Sequence, residues 1–111
     1  MIDNNIYYYI RIYRVSDVDK KIVENEIRKL CDFIKHRSRL IRNVSYYTVT
    51  YIDNGDSEGL IIVSGRDRET VSREADVLIG LIDSSFETLR AELVDKVKNK
   101  KLVPIPLFRN F

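Results

Sequence analysis

A thiol and an imidazole are the side chains best suited to make a nucleophile and base pair, and this chain has one of each, Cys31 and His36. Neither has the orienting third group that a catalytic arrangement would need. Cys31 falls on the apolar side of a helical pattern, where a small core residue is the plainer reading. Asp53, Asp56 and Glu58 lie close together, but Gly55 falls in the wrong place for a calcium-binding loop. A hairpin turn through Asp53-Asn54-Gly55-Asp56 accounts for them. Ser64-Gly65-Arg66 precedes a helix start, where backbone N–H groups could receive an anion. A lone glycine is not a phosphate loop, however, and a strand-to-helix turn explains it. No catalytic residue, cofactor or metal ligand is therefore expected, and the chain reads as non-enzymatic.

The patterns that suggest binding are stronger. Tyr7, Tyr9, Arg11 and Tyr13 alternate along one segment and so share one side of a strand. Such a stripe can stack single-stranded bases. Covering by protein is the more ordinary fate, since tyrosine is favoured at interfaces for its apolar ring and polar tip. Two basic clusters could hold phosphate: Lys35, Arg37, Arg39 and Arg42, and then Lys98, Lys100 and Lys101. The first is better explained as a solvated helix end whose positive charge suits the dipole, and the second has the same two readings. A third feature is the tail. Residues 102–111 are apolar up to the end, with Leu102, Ile105, Leu107 and Phe108, and such a segment is expected to form an edge strand or to dock on a surface.

Composition bounds these readings. The 111 residues are 44% hydrophobic and 32% charged, with a net charge of +2. That is a globular balance and one domain's length, 1–111, and it falls short of the basic excess usual in phosphate-neutralising proteins. Leu60-Ile61-Ile62-Val63 is too short to span a membrane. No secretory leader is visible, and a single cysteine rules out an internal disulfide, so a cytoplasmic location is expected. Dense Lys, Arg and Glu without Gln or Trp give a composition of thermophile type.

The elements that position these residues can be read from periodicity. Residues 6–15 are β-branched and aromatic and form a strand with Ile6, Tyr8, Ile10 and Ile12 on its core side. Ser16 or Asp17 caps a helix whose apolar face is Val23, Ile27, Leu30 and Ile34. Residues 40–52 and 59–64 read as two strands joined by the hairpin, the second apolar on both faces and so central in the sheet. Asp67 caps a second helix with Val71, Ala75, Leu78 and Ile82 inward. Ser84 and Glu87 have capping-box spacing, and Phe86, Leu89, Leu93 and Val97 suggest that helix continues or restarts through residue 98. The expected core is Ile10, Ile12, Val23, Ile27, Leu30, Ile34, Ile62, Val71, Ala75, Leu78 and Ile82.

The order β-α-β-β-α, followed by a further helix or strand, predicts an α+β fold of the ferredoxin-like kind, with an antiparallel sheet and its helices on one face. The other face, with the tyrosine stripe, would be open. The stretch from Leu60 through Gly65-Arg66 to Leu89 resembles part of the N-terminal, non-motor domains of VirB4-like conjugation and secretion ATPases, where a strand ending in Gly-Arg is followed by a helix and a dip before the next. The resemblance spans residues 60–89 and implies an assembly domain. It carries no functional residue with it, and the chain lacks the Gly-x-x-x-x-Gly-Lys motif of the motor. The function expected is an interaction domain that self-associates or docks on a larger protein. The alternative is a small RNA- or single-stranded-DNA-binding protein.

Overall fold

A computed structural model describes residues 5–15, 19–53, 56–94 and 101–103, the side chains of 49–53, 56–58 and 101–103 excepted. The elements in order are β1 (Ile6–Arg14), α1 (Lys20–Leu40), β2 (Val44–Asp53), β3 (Asp56–Gly65), α2 (Arg68–Ser85), β4 (Leu89–Val94) and β5 (Lys101–Val103). The fold is α+β. Its strands lie in the order β4-β1-β3-β2-β5, and every described pairing is antiparallel.

Alternation of side chains across the sheet decides where the core sits. Ile10 and Ile12 of β1, Val44 and Tyr46 of β2, Ile61 and Val63 of β3, and Leu89 and Ala91 of β4 share one face. They pack with Val23, Leu30 and Ile34 of α1 and with Val71, Ala75, Leu78 and Ile82 of α2 in one buried cluster. Both helices thus cover the same face. Ile27 is partly buried against this cluster.

Ile62 is not in that cluster. It lies opposite Tyr9 and Tyr47 on the face turned away from the helices, half-buried. A strand that is apolar on both sides offers no contrast from which to choose its inward parity, so Ile61 and Val63 point inward instead.

The helix caps are supplied locally. The α1 cap is Asp19, not Ser16 or Asp17, its carboxylate accepting from the Lys21 N–H at 2.8 Å. Asp67 caps α2 as expected, accepting from the Thr70 N–H at 3.2 Å. At the end of α1 the Ile41 N–H returns to the Arg37 carbonyl, and Asn43 adopts φ 70°, a left-handed conformation that asparagine tolerates better than most residues. The strand expected from residue 40 therefore starts at Val44.

The largest departure from expectation lies after α2. The helix ends at Ser85, and residues 89–94 form β4 along β1, with Tyr9 opposite Val94 and Arg14 opposite Leu89. Ser84 does not cap a new helix, because its hydroxyl donates back to the Gly80 carbonyl at 2.7 Å. The alternation Leu89, Ala91, Leu93 competes with the i, i+4 pair Leu89 and Leu93. The unfilled edge of β1 decides in favour of the strand, since pairing buries Leu89 and Ala91 and satisfies a ladder that a helix there would leave open. A short strand does form in the tail, at Lys101–Val103, against β2.

Two glycines, one before the head of α2 and one near its end, test the packing there. A Cβ on Gly65 would sit 2.6 Å from the Asn43 carbonyl oxygen and 2.8 Å from Val71 Cγ2, whereas one on Gly80 would meet nothing within 4 Å. Gly65→Ala should therefore cost about 1–3 kcal/mol. Gly80→Ala, on the exposed side of α2, should gain roughly 0.5–1 kcal/mol. Paired thermal and urea melts check both signs.

Candidate functional site

The face of the sheet opposite the helices is built by cross-strand rows. In one, Val94 of β4, Tyr9 of β1, Ile62 of β3 and Tyr47 of β2 stand side by side, close enough for directly opposed side chains to touch. All four are half-buried. The next row toward the start of β1 is Tyr7, Ser64 and Ser45, with Tyr7 39% exposed and Ser64 buried. On the other side come Glu92, Arg11 and Leu60, then Arg90 and Tyr13. Leu60 is only 1% exposed although it lies outside the main core. The face is thus closed along the middle of β3 and open at Tyr7.

The expected stripe of Tyr7, Tyr9, Arg11 and Tyr13 is therefore assembled on one face, but its arginine is already engaged. The Arg11 guanidinium meets the Glu92 carboxylate at 2.6 Å and lies 4.6 Å from the centre of the Tyr13 ring. Both contacts offset or occupy the charge that a phosphate would seek.

The basic clusters fare differently. Lys35, Arg39 and Arg42 are exposed at the C-terminal end of α1, in the helical layer and not on the tyrosine face. Arg37 is withdrawn from solvent-facing work. It holds the Glu74 carboxylate of α2 through Nε and Nη2, at 2.8 and 2.7 Å. Lys98 and Lys100 lie outside the described residues, as do Ile105, Leu107 and Phe108. Lys101 and Leu102 belong to β5, their backbones paired with Ile52 and Tyr51.

Glu74 was invisible in the sequence as anything but a polar position, yet it is 3% exposed. The Tyr46 hydroxyl donates to its second oxygen, so one carboxylate joins α1, α2 and β2. Burial pushes the Tyr46 phenol above its ordinary value, and the bond to Glu74 pushes it the same way. Hydrogen bonding to Glu74 raises Arg37 as well. Glu26 of α1 forms a second such joint. It accepts from the backbone N–H groups of Glu87 and Thr88 at 2.9 and 2.7 Å, and from the Thr88 hydroxyl. Burial alone would raise its carboxyl, but these hydrogen bonds outweigh that and hold it below the usual range. The only sequence signal for either was a glutamate sitting at a helical spacing compatible with the buried side.

The positions considered for chemistry are not brought together. Cys31 is half-buried, and burial, with Asp32 adding to it, pushes its thiol up and away from the reactive thiolate. His36 is exposed. Among the described residues no group of three His, Cys, Asp or Glu could hold a metal ion. At the head of α2 an open groove of about 660 Å³ is lined by Tyr8, Asp67, Arg68, Glu69, Arg73 and Asp76 among others. Its helix N-terminus is already occupied by Asp67, and Glu69 pairs with Arg73 at 3.0 Å.

The buried triad predicts an alkaline signature. Above pH about 10 an unfolded tyrosine releases its proton, while folded Tyr46 keeps it. The unfolded chain then binds fewer protons, so stability must fall as pH rises. Tyr46→Phe should flatten that decline and cost about 1–2 kcal/mol at neutral pH. Glu74→Ala should cost more, about 3 kcal/mol, because it strips the partners from two groups. Denaturant melts at pH 7, 10 and 11 measure both.

No family model matches the chain, and no curated protein matches it. Among solved structures it is similar to the de novo designed protein Foldit4, with 23% sequence identity and a TM-score of 0.50, over 84% of this chain and 99% of that one. That likeness speaks to the α+β fold alone. No described helix is long and apolar enough to cross a membrane.

Proposed function

We propose that this chain is a non-enzymatic interaction domain whose helix-free sheet face receives a protein surface, either a second copy or a larger partner. The observation that carries this is the row Val94, Tyr9, Ile62 and Tyr47, which crosses four strands without a charged residue. Interfaces of this kind keep charge out of their centres and place tyrosine within them. The strand order β4-β1-β3-β2 supports a ferredoxin-like reading of the scaffold, with β5 added at one edge. In that arrangement the face is held by neighbouring strands rather than by loops, and so is preorganised for docking.

Nucleic acid is the less favoured occupant. Base stacking tolerates any sequence but needs cations along the backbone. Here Arg11 is paired with Glu92, and the α1 cluster lies in the other layer. The resemblance of residues 60–89 to the non-motor domains of VirB4-like ATPases points toward assembly as well, though it rests on β3, Gly65-Arg66 and α2 alone, since β4 stands where the pattern has a further helix.

Light scattering coupled to gel filtration, at 50 mM and 500 mM salt with absorbance read at 260 and 280 nm, separates these readings (the salt steps chosen to span roughly a threefold change in screening length). Self-association through the face should persist at high salt, and Ile62→Glu should abolish it without lowering the melting temperature by more than a few degrees. A larger partner would leave a salt-independent monomer, and pull-down of that partner would then depend on Ile62. Nucleic acid that co-elutes at low salt and departs at high salt would overturn the proposal.

A further inference from the structure

The outer edge of β4 carries a second assembly feature, separate from the tyrosine face. No described strand pairs with that edge. An antiparallel ladder alternates between residues whose N–H and C=O face one neighbour and residues whose groups face the other. The Ala91 N–H points away from β1, because it donates to the Asp83 carboxylate of α2 at 3.0 Å. Leu89 and Leu93, two residues to either side, share its orientation. The Leu89 carbonyl is taken as well, by the Arg90 guanidinium at 2.7 Å. The edge is therefore closed at two points by side chains and not by a strand. Beyond them Leu93 stands 49% exposed on the helix side.

We propose that the β4 edge is a self-association edge, that its occupant is β4 of a second copy of this chain, and that Asp83 and Arg90 form the latch holding it shut. Register and charge both favour this occupant. Antiparallel pairing about a two-fold axis at Ala91 sets Ala91 against Ala91, so the smallest side chain of the strand meets itself at the axis. It sets Arg90 against the second copy's Glu92, and Glu92 against the second copy's Arg90. Like charges directly opposite would oppose such a pairing, and opposite charges favour it. The same register places exposed Leu93 beside the second copy's Leu89. Arg90 would leave the Leu89 and Phe86 carbonyls, freeing the first for the new ladder, and would share the second copy's Glu92 carboxylate with the Arg11 that already holds it. Asp83 must give up the Ala91 N–H. That is a hydrogen bond to a charged acceptor, so the latch favours the unpaired state by tenfold or more.

The test is sedimentation equilibrium over a wide concentration range. Asp83→Ala should leave α2 intact, because a carboxylate near a helix C-terminus is unfavourable to begin with. It should tighten self-association at least about tenfold relative to the parent chain. In that background Leu93→Lys, at a half-exposed site that should not disturb folding, should reverse the gain. Arg90→Glu and Glu92→Arg, each alone in an Asp83→Ala, Ile62→Glu background, should be monomers that form a heterodimer when mixed. Ile62→Glu should leave the Asp83→Ala dimer in place, which keeps this edge distinct from the tyrosine face. Failure of Asp83→Ala to associate more tightly would overturn the proposal. So would a dimer that survives Leu93→Lys, or one that Ile62→Glu dissolves.

Discussion

A carboxylate that is removed from water must be paired, and how Glu74 is paired constrains most of what surrounds it. Its oxygens take the Arg37 guanidinium from one helix and the Tyr46 hydroxyl from the sheet. Because the guanidinium fork is planar and rigid, the two helices can meet there in only one relative position. The core around this joint is otherwise aliphatic, and aliphatic contacts tolerate sliding. The polar joint adds a directional constraint to that packing, since hydrogen bonds depend on angle where aliphatic contacts do not. Glu26 does the same at the opposite end, tying α1 to the segment that leads into β4. The helical layer is thus pinned at both ends to the sheet that it covers.

With the helices fixed on one face, the other face is left to be accounted for. β3 is flanked by β1 and β2, and its apolar residues run on both sides. Inward, Ile61 and Val63 complete the core. Outward, Leu60 is buried while Ile62 is half-buried between Tyr9 and Tyr47. A strand that needed only to present one side to water would alternate with polar residues. β3 does not, and its outward Leu60 and Ile62 are accordingly buried and half-buried by the strands on either side.

Much of this was legible in the chain. The tyrosine alternation in residues 7–13, the helical faces at Val23, Leu30 and Ile34 and at Val71, Ala75, Leu78 and Ile82, and the Asp67 cap all follow from strict local periodicity. What was illegible had three sources. Leu89-Arg90-Ala91-Glu92-Leu93-Val94 satisfies the helical and the strand period together, and only the vacancy beside β1, a contact some eighty residues distant in sequence, decides between them. Glu26 and Glu74 went unmarked, although their helical spacing is compatible with the buried side, because their partners lie on other elements. No local pattern announces a buried carboxylate. The parity of β3 was a third case, since a strand apolar on both sides gives no sign of which residues turn inward.

The two edges of the sheet complete the physical picture. On one side the described residues of β5 cover three positions of β2, and on the other Asp83 and Arg90 occupy the polar groups of β4. Proteins suppress strand addition with short edges and with charges placed on them, and both devices are present. The difference between them is energetic. Displacing β5 would expose a paired strand, whereas displacing Asp83 exchanges one hydrogen bond for another of the same N–H. The β4 edge is therefore the one that can open at modest cost, and the charge order Arg90, Ala91, Glu92 is self-complementary about its centre. A face closed to water by apolar side chains and an edge closed by a replaceable carboxylate are different kinds of surface: burial of area governs the first, and competition for a single N–H governs the second.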